Sequence, residues 1–293
     1  MMSQRFDFEE KRDLAWCPGC GDFAIRSSLL TALERLGIDR EKLVMVSGIG
    51  QAAKMPQYVN SSFFNGLHGR ALPVATAIKA VSPDLTVVAA GGDGDMYGEG
   101  GNHLIHAARR NPDIALFVHD NMVYGLTKGQ ASPTSRTGMK TAVQVSGVLS
   151  EPINPLALAI AMNVGFVARA LSGDIEGTAD IMLRAIRHRG LALVDIFQPC
   201  VSFNKLNTLQ WFKANTYKIE AGYKADDRAV AFARALEESP FPLGVLYESE
   251  ERAPFEELLP IYGEDKRPLR GRRLDLATLG EMIGEKRHPG FAE

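Results

Sequence analysis

Two short stretches of this 293-residue chain carry residue types able to hold a metal ion against a phosphate. Gly91-Gly92-Asp93-Gly94-Asp95 follows a continuous apolar run, Leu85–Ala90, and Asp120-Asn121-Met122-Val123 follows a second, Ile114–His119. The 26 residues 95–120 between Gly94 and Asn121 suffice for one helix and one strand, so both loops should leave neighbouring strands at the same edge of a sheet. Mg²⁺ takes hard oxygen ligands in octahedral geometry and leaves several positions to phosphate and water. Asp93 offers a carboxylate, Asn121 a side-chain carbonyl and Val123 a main-chain carbonyl. Gly94 lets the backbone approach a phosphate, and the start of the following helix favours an anion. A glycine-rich turn with an incidental aspartate would read the same at Asp93 alone. The asparagine at this spacing, after its own strand, favours a Mg²⁺–diphosphate site.

The three cysteines form a second group. Cys17-Pro18-Gly19-Cys20 precedes the first long helical stretch, and Cys200 lies just after a strand-like run, Leu191–Phe197. Thiolates at this spacing can ligate an iron–sulfur cluster, hold zinc or act as a redox pair. A structural zinc site normally wants four ligands, and the chain has no second Cys-x-x-Cys.

These groups need a scaffold, and short apolar runs alternate with amphipathic stretches through the first two-thirds. Helices are expected over Asp22–Leu36 with Gly37 as the stop, Leu72–Ala80, Gly101–Arg110 with Pro112 marking the end, Leu156–Met162 and Ile175–His188. Strands are expected at Leu43–Ser47, Leu85–Ala90, Ile114–His119, Phe166–Ala168 and Leu191–Phe197, the last taken as the final core strand. This alternation implies an α/β fold, a mostly parallel sheet with helices on both faces, and ligands at the carboxyl ends of its strands. After Asn204 the pattern changes. One helix is expected over Asp227–Leu236, but Pro240, Pro242, Pro254, Pro260 and Pro268 punctuate the rest, and Glu264–Arg273 is heavily charged. The chain therefore divides into a core, residues 1–204, and a C-terminal extension, residues 205–293, expected to wrap the core or a partner.

Composition sets the outer bounds. Lys and Arg number 33 against 35 Asp and Glu, a formal net charge of −2 without a basic run, which argues against a nucleic-acid partner. Apolar stretches fall short of the roughly 20 residues that cross a bilayer, and the first residues lack the apolar core of a signal peptide. A cytoplasmic protein is expected, with cysteines serving metal or redox chemistry rather than disulfides.

Taken together these stretches resemble the beta subunit of 2-oxoacid:ferredoxin oxidoreductases. The resemblance runs from WCPGCGDF at Trp16 through SGIG at Ser47, LHGRALPVATAIK at Leu67, the text from Gly91 to Ser135 and QPC at Gln198, covering roughly residues 14–205. Gly-Asp-Gly followed at this distance by Asn is the diphosphate motif of thiamine-diphosphate enzymes. The resemblance implies a thiamine-diphosphate-binding fold in which Asp93, Asn121 and Val123 bind Mg²⁺ and Gly94, Asp95, Gly125 and Leu126 line the diphosphate. Ile49, Gly50, Gln51, Ala52 and His68 would sit near the thiazolium end. His68, Thr127 and Lys128 would face the reacting carbon as catalytic or substrate contacts. Lys128 could pair with the second carboxylate of 2-oxoglutarate, although a solvated loop lysine reads equally well.

The resemblance further implies a 4Fe-4S cluster on Cys17, Cys20, Cys200 and a fourth cysteine. Here the chain departs from the family, because Gln51 stands where that cysteine is usual. A non-cysteine fourth ligand, a three-iron cluster and loss of the cluster all remain open, and the first is the expectation adopted. The implied activity is oxidative decarboxylation of 2-oxoglutarate or another 2-oxoacid to an acyl-CoA and CO₂, with electrons passing to ferredoxin, or the reverse reaction. An alpha subunit with the pyrimidine-binding domain would complete an (αβ)₂ assembly. The competing expectations are a non-redox thiamine enzyme subunit with a vestigial cluster site and a zinc-stabilised binding module. His103 and His106 are read as structural, and Lys54 and Arg70 as weak candidate anion contacts.

Overall fold

The computed structural model describes residues 5–10, 12–273 and 275–286. The first helix, α1 (Asp22–Leu36), ends at Gly37, whose φ of 73° is the left-handed stop anticipated from sequence. The core then alternates β1 (Leu43–Ser47), β2 (Ser62–Asn65), α2 (Ala71–Val81), β3 (Thr86–Gly92), α3 (Gly101–Arg110), β4 (Ile114–Asp120), α4 (Pro155–Ala161), β5 (Phe166–Leu171), α5 (Ile175–Arg187) and β6 (Leu191–Phe197). A 3₁₀ segment, Ala52–Tyr58, links β1 to β2. Beyond residue 204 come α6 (Leu209–Ala214), β7 (Thr216–Lys218), α7 (Arg228–Ala235), β8 (Phe241–Glu248) and α8 (Leu276–Lys286).

The strands form one sheet in the order β2-β1-β3-β4-β6-β5-β8-β7. All neighbours run parallel except β5 and β8. Side chains alternate across it. Val87 and Ala89 of β3, with Leu116 and Val118 of β4, face a core shared with α2, α3, α4 and α7. Val88, Ala90, Ala115 and Phe117 face the opposite core, with α1 and α5. A strand apolar on both faces must be covered on both faces, which is why β4 is buried along its whole length.

One expectation needs correction, and one strand escaped the sequence reading. The sheet does not end with Leu191–Phe197: β8 joins β5 antiparallel, and β7 extends it further. Pro242 and Gly244 lie inside β8; both types are depleted in strands, so the sequence pattern reads as punctuation there. The exposed four-residue β2 has too short and too polar-edged a pattern to register as a strand. Asn111, at φ 59°, caps α3 at its expected end, with Pro112 immediately beyond it.

The C-terminal segment makes several polar contacts to the first two-thirds of the chain. The Tyr262 hydroxyl donates to the Ala80 carbonyl at 2.7 Å, Arg252 donates to the carbonyls of Ala108 and Asn163, and Arg270 pairs with Asp84. Among the described residues no helix is long and apolar enough to cross a membrane.

Candidate functional site

The tips of β3 and β4 lie side by side, with Gly92 in register with His119, so the two candidate loops leave adjacent strands at their carboxyl ends. Asp93 is 1% exposed. Its Oδ2 accepts from Ser132 Oγ and from Thr134 Oγ1, the latter at 2.7 Å. Burial pushes the Asp93 carboxyl up to about 6, against the pull of these two hydroxyls. A buried carboxylate is poorly matched by hydroxyls alone, and a divalent metal would match it.

Thr134 Oγ1 also lies 2.9 Å from Asp120 Oδ1. One hydroxyl proton cannot serve two carboxylates. Burial, reinforced by Asp195 and Asp93, holds Asp120 well above the usual carboxylate range, and Asp93 and Asp120 compete for the Thr134 hydroxyl proton. Behind it Asp195 accepts from Tyr97 Oη at 2.8 Å and pairs with Arg169 Nε at 3.2 Å. Arg169 in turn stacks over Phe197 at 4.6 Å. This buried layer holds the orientation of the Asp93 carboxylate. Thr134→Val, which keeps shape and removes the hydroxyl, is expected to raise the Mg²⁺ needed for half-saturation by about 10–100-fold. A Mg²⁺ titration of cofactor binding checks this, and an unchanged midpoint would show that Thr134 holds nothing the metal needs.

Asn121 Oδ1 accepts from Val123 N at 3.0 Å, and Met122 takes a left-handed φ of 58°. That turn uses one lone pair of the amide oxygen and leaves the other for a metal. The segment after Asp93 is a π-helical turn, Gly94–Glu99, which leads into α3 at Gly101. Asp95 Oδ1 accepts from Gly69 N at 2.7 Å and Ile49 N at 3.2 Å, bracing the loops after β1 and before α2 against the turn.

A single cleft is lined by Ile49, Gly50, Gln51, Ala52, His68, Asp93, Gly94, Asp95, Asn121, Val123, Gly125, Leu126 and Thr127. Lys128 is not among its lining residues. It is exposed, at φ 78°, on the turn of the loop that Tyr124 and Gln130 close. Thr127 Oγ1 donates to Gln130 Oε1 at 2.5 Å. His68 Nε2 stands 3.6 Å from Asp95 and 3.4 Å from Glu99.

Sequence reading missed Gly92 and Tyr124, which complete the cleft. The Tyr124 ring covers Gly94 so closely that a Cβ there would stand 2.1 Å from it. Its hydroxyl reaches Glu99 at 3.1 Å. Nothing in residue type gives a ring's direction, although its place three residues after Asn121 was a usable signal.

The cysteines share a second cavity, lined also by Trp16, Gln51, Asn121, Gly125 and Gln198. Gln51, Asn121 and Gly125 therefore wall both spaces. Among the described residues no three His, Cys, Asp or Glu side chains converge closely enough to share one metal ion. The ligands of one zinc ion would need to gather within about 4 Å of each other. Burial and the Asp22 carboxylate push the Cys20 thiol well up, opposite to what a reactive redox dithiol needs. Trp16 packs edge-on against Tyr58 and Phe23 and donates from Nε1 to the Gln51 carbonyl at 2.9 Å. Lys54 and Arg70 are engaged elsewhere, with the Ala15 carbonyl and with His103.

The comparisons with known proteins agree with this geometry. A family model described as the thiamine pyrophosphate enzyme, C-terminal TPP-binding domain, matches residues 44–196. A second, for the C-terminal part of the pyruvate ferredoxin oxidoreductase beta subunit, matches residues 200–264. The chain is 41% identical over 284 residues to 2-oxoacid:ferredoxin oxidoreductase 2, subunit beta, of Aeropyrum pernix, covering 92% of each. It is 44% identical over 198 residues to the 2-oxoglutarate oxidoreductase subunit KorB of Mycobacterium tuberculosis, covering 68% of this chain and 53% of that one. It superposes, with a TM-score of 0.87 at 34% identity over 97% of its length and 95% of the other, on a 2-oxoglutarate:ferredoxin oxidoreductase chain from Magnetococcus marinus. That structure has 2-oxoglutarate, coenzyme A and succinyl-CoA bound. With a TPP-binding core, a matching C-terminal region and the Aeropyrum and Magnetococcus chains covered almost end to end, this chain belongs to the beta subunits of the 2-oxoacid:ferredoxin oxidoreductases.

Proposed function

We propose that this chain anchors Mg²⁺–thiamine diphosphate through Asp93, Asn121 and Val123 and relays electrons through a 4Fe-4S cluster on Cys17, Cys20 and Cys200. The preferred substrate is 2-oxoglutarate, with coenzyme A as acyl acceptor and ferredoxin as electron acceptor. The carrying observation is the wall of Gln51, Asn121 and Gly125 common to the cofactor cleft and the cysteine cavity.

The donors suit these groups. Asp93 is a buried carboxylate met by hydroxyls, and Asn121 has a spare amide lone pair. Cys17, Cys20 and Cys200 line one cavity, and thiolates are the donors an iron–sulfur cluster takes. Bound thiamine diphosphate supplies the carbanion chemistry that decarboxylates a 2-oxoacid. The protein's part is anchoring and orientation. Asp93, Asn121 and Val123 would fix the diphosphate end through the metal, and Gly125 and Leu126 flank it. His68 Nε2 lines the cleft 3.6 Å from Asp95 and 3.4 Å from Glu99, placed to orient a bound group.

Residues 1–204 form the cofactor-and-cluster domain in this reading. Residues 205–293 form an extension whose helix α8 exposes Leu276, Met282 and Ile283, a face suited to contact with another subunit. A separate alpha subunit with the pyrimidine-binding half completes an (αβ)₂ enzyme in the cytoplasm. Gln51 favours one rival, a non-redox thiamine enzyme whose cluster site is vestigial.

Substrate choice is tested at Lys128, which is exposed and free to swing toward a bound second carboxylate. Lys128→Met is expected to raise KM for 2-oxoglutarate about tenfold in the reconstituted enzyme, one charge-assisted contact, and to leave pyruvate unchanged. Equal effects on both acids would remove Lys128 from selection.

A further inference from the structure

Resting on the cluster reading above, we infer that the side-chain oxygen of Gln51 is the fourth ligand of the cluster. The iron site it holds is then the exchangeable one. Gln51 follows β1 and opens the 3₁₀ segment Ala52–Tyr58. Its main-chain carbonyl is fixed by the Trp16 indole at 2.9 Å, so the residue is anchored independently of its side chain. Gln51 lines the cavity of Cys17, Cys20 and Cys200, and its side-chain Oε1 is sealed from solvent without a hydrogen-bond partner among the described residues.

A buried amide oxygen left unpartnered is costly and calls for a reason, an ion among them. Its neighbours in the cavity explain the choice. The thiols of Cys17, Cys20 and Cys200 are weak donors, and the Asn121 amide oxygen accepts from the Val123 N–H and keeps its second lone pair for the Mg²⁺ of the cofactor cleft. Gln198, the other amide of the cavity, also has an unpartnered Oε1 among the described residues. It is packed against the start of α1, however: a Cβ at Gly21 would stand 2.7 Å from that oxygen. Gln198 is held by the protein wall, whereas Gln51 stands where cofactor cleft and cysteine cavity meet.

Two consequences follow from the chemistry of the donor. A neutral amide in place of a thiolate leaves the cluster one unit less negative, which raises its reduction potential. It also holds its iron less firmly than three thiolates hold the others. Ferricyanide would take one electron from the oxidised four-iron cluster, and the iron at the amide site would leave as Fe²⁺. A three-iron cluster would then remain on Cys17, Cys20 and Cys200.

The test uses the anaerobically purified complex with its alpha subunit and compares wild type with Gln51→Cys, Gln51→Ala and Gln198→Leu. Iron and sulfide are counted first, then conversion by ferricyanide is followed by EPR and the midpoint potential by redox titration. Wild type is expected to convert to the three-iron form. Q51C should keep all its iron at a lower potential, and Q51A should lose iron at least about tenfold faster than wild type. Q198L should behave as wild type. Identical conversion and potential in Q51A and wild type would overturn the assignment, as would a change confined to Q198L. Absence of iron from wild type and Q51C alike would instead sink the cluster reading itself.

Discussion

Asp93→Asn is expected to abolish 2-oxoacid-dependent ferredoxin reduction, by about three orders of magnitude or roughly 4 kcal/mol of transition-state stabilisation. The fold itself should survive. The amide oxygen introduced there would still accept from Ser132 and Thr134, which now bond the Asp93 carboxylate. Its amide nitrogen would face the metal position with hydrogens instead of a charge. Burial disfavours the ionised form of Asp93, so the variant without cofactor should be at least as stable as wild type. The two effects therefore have opposite signs, which separates a ligand from a structural carboxylate. Saturating Mg²⁺ and thiamine diphosphate should raise the wild-type melting temperature by about 5 °C or more and leave the variant unmoved. A variant that gains the same stabilisation would remove Asp93 from the metal.

The largest stability loss is expected at Gly69, just after His68. Gly69 has φ 72°, and a Cβ there would stand 2.4 Å from the Glu99 carbonyl carbon and 2.5 Å from the Gly100 nitrogen. Those are main-chain atoms that no rotamer change can clear. Gly37 offers a matched control, at φ 73° with nothing within 4 Å of its Cβ position. Gly37→Ala carries only the left-handed penalty, about 1 kcal/mol. Gly69→Ala adds overpacking against backbone, for about 3 kcal/mol in all. It should also loosen the Gly69 N–H bond to Asp95 and with it the cleft. Chemical denaturation of the two variants measures both costs, and equal losses would show that the Glu99–Gly100 backbone yields.

What was legible in the sequence follows from which forces act locally. Leu43–Ser47, Leu191–Phe197, Asp22–Leu36 and Gly101–Arg110 match their expected bounds residue for residue. Continuous apolar runs and one-sided helical stripes are set by burial, and burial is written in residue type. The sheet's second half was hidden because β8 carries Pro242 and Gly244, and its place depends on a partner strand, β5, far away in the chain. The cleft was legible as a set of residues, since each follows a strand end. Tyr124 over Gly94 and the side-chain bond of Thr127 to Gln130 were not, because they depend on directions that only packing decides. The common wall of cleft and cysteine cavity was equally hidden, for it joins loops after β1 and β4.

The most direct test of the electron-relay reading is one anaerobic experiment on the complex with its alpha subunit. Iron is counted, and 2-oxoglutarate is then added with coenzyme A while EPR is recorded. About four irons per beta chain, and a reduced-cluster signal that appears on substrate addition, are expected. Acyl-CoA formation from a preparation without iron would contradict the relay and leave the cysteines as remnants of one.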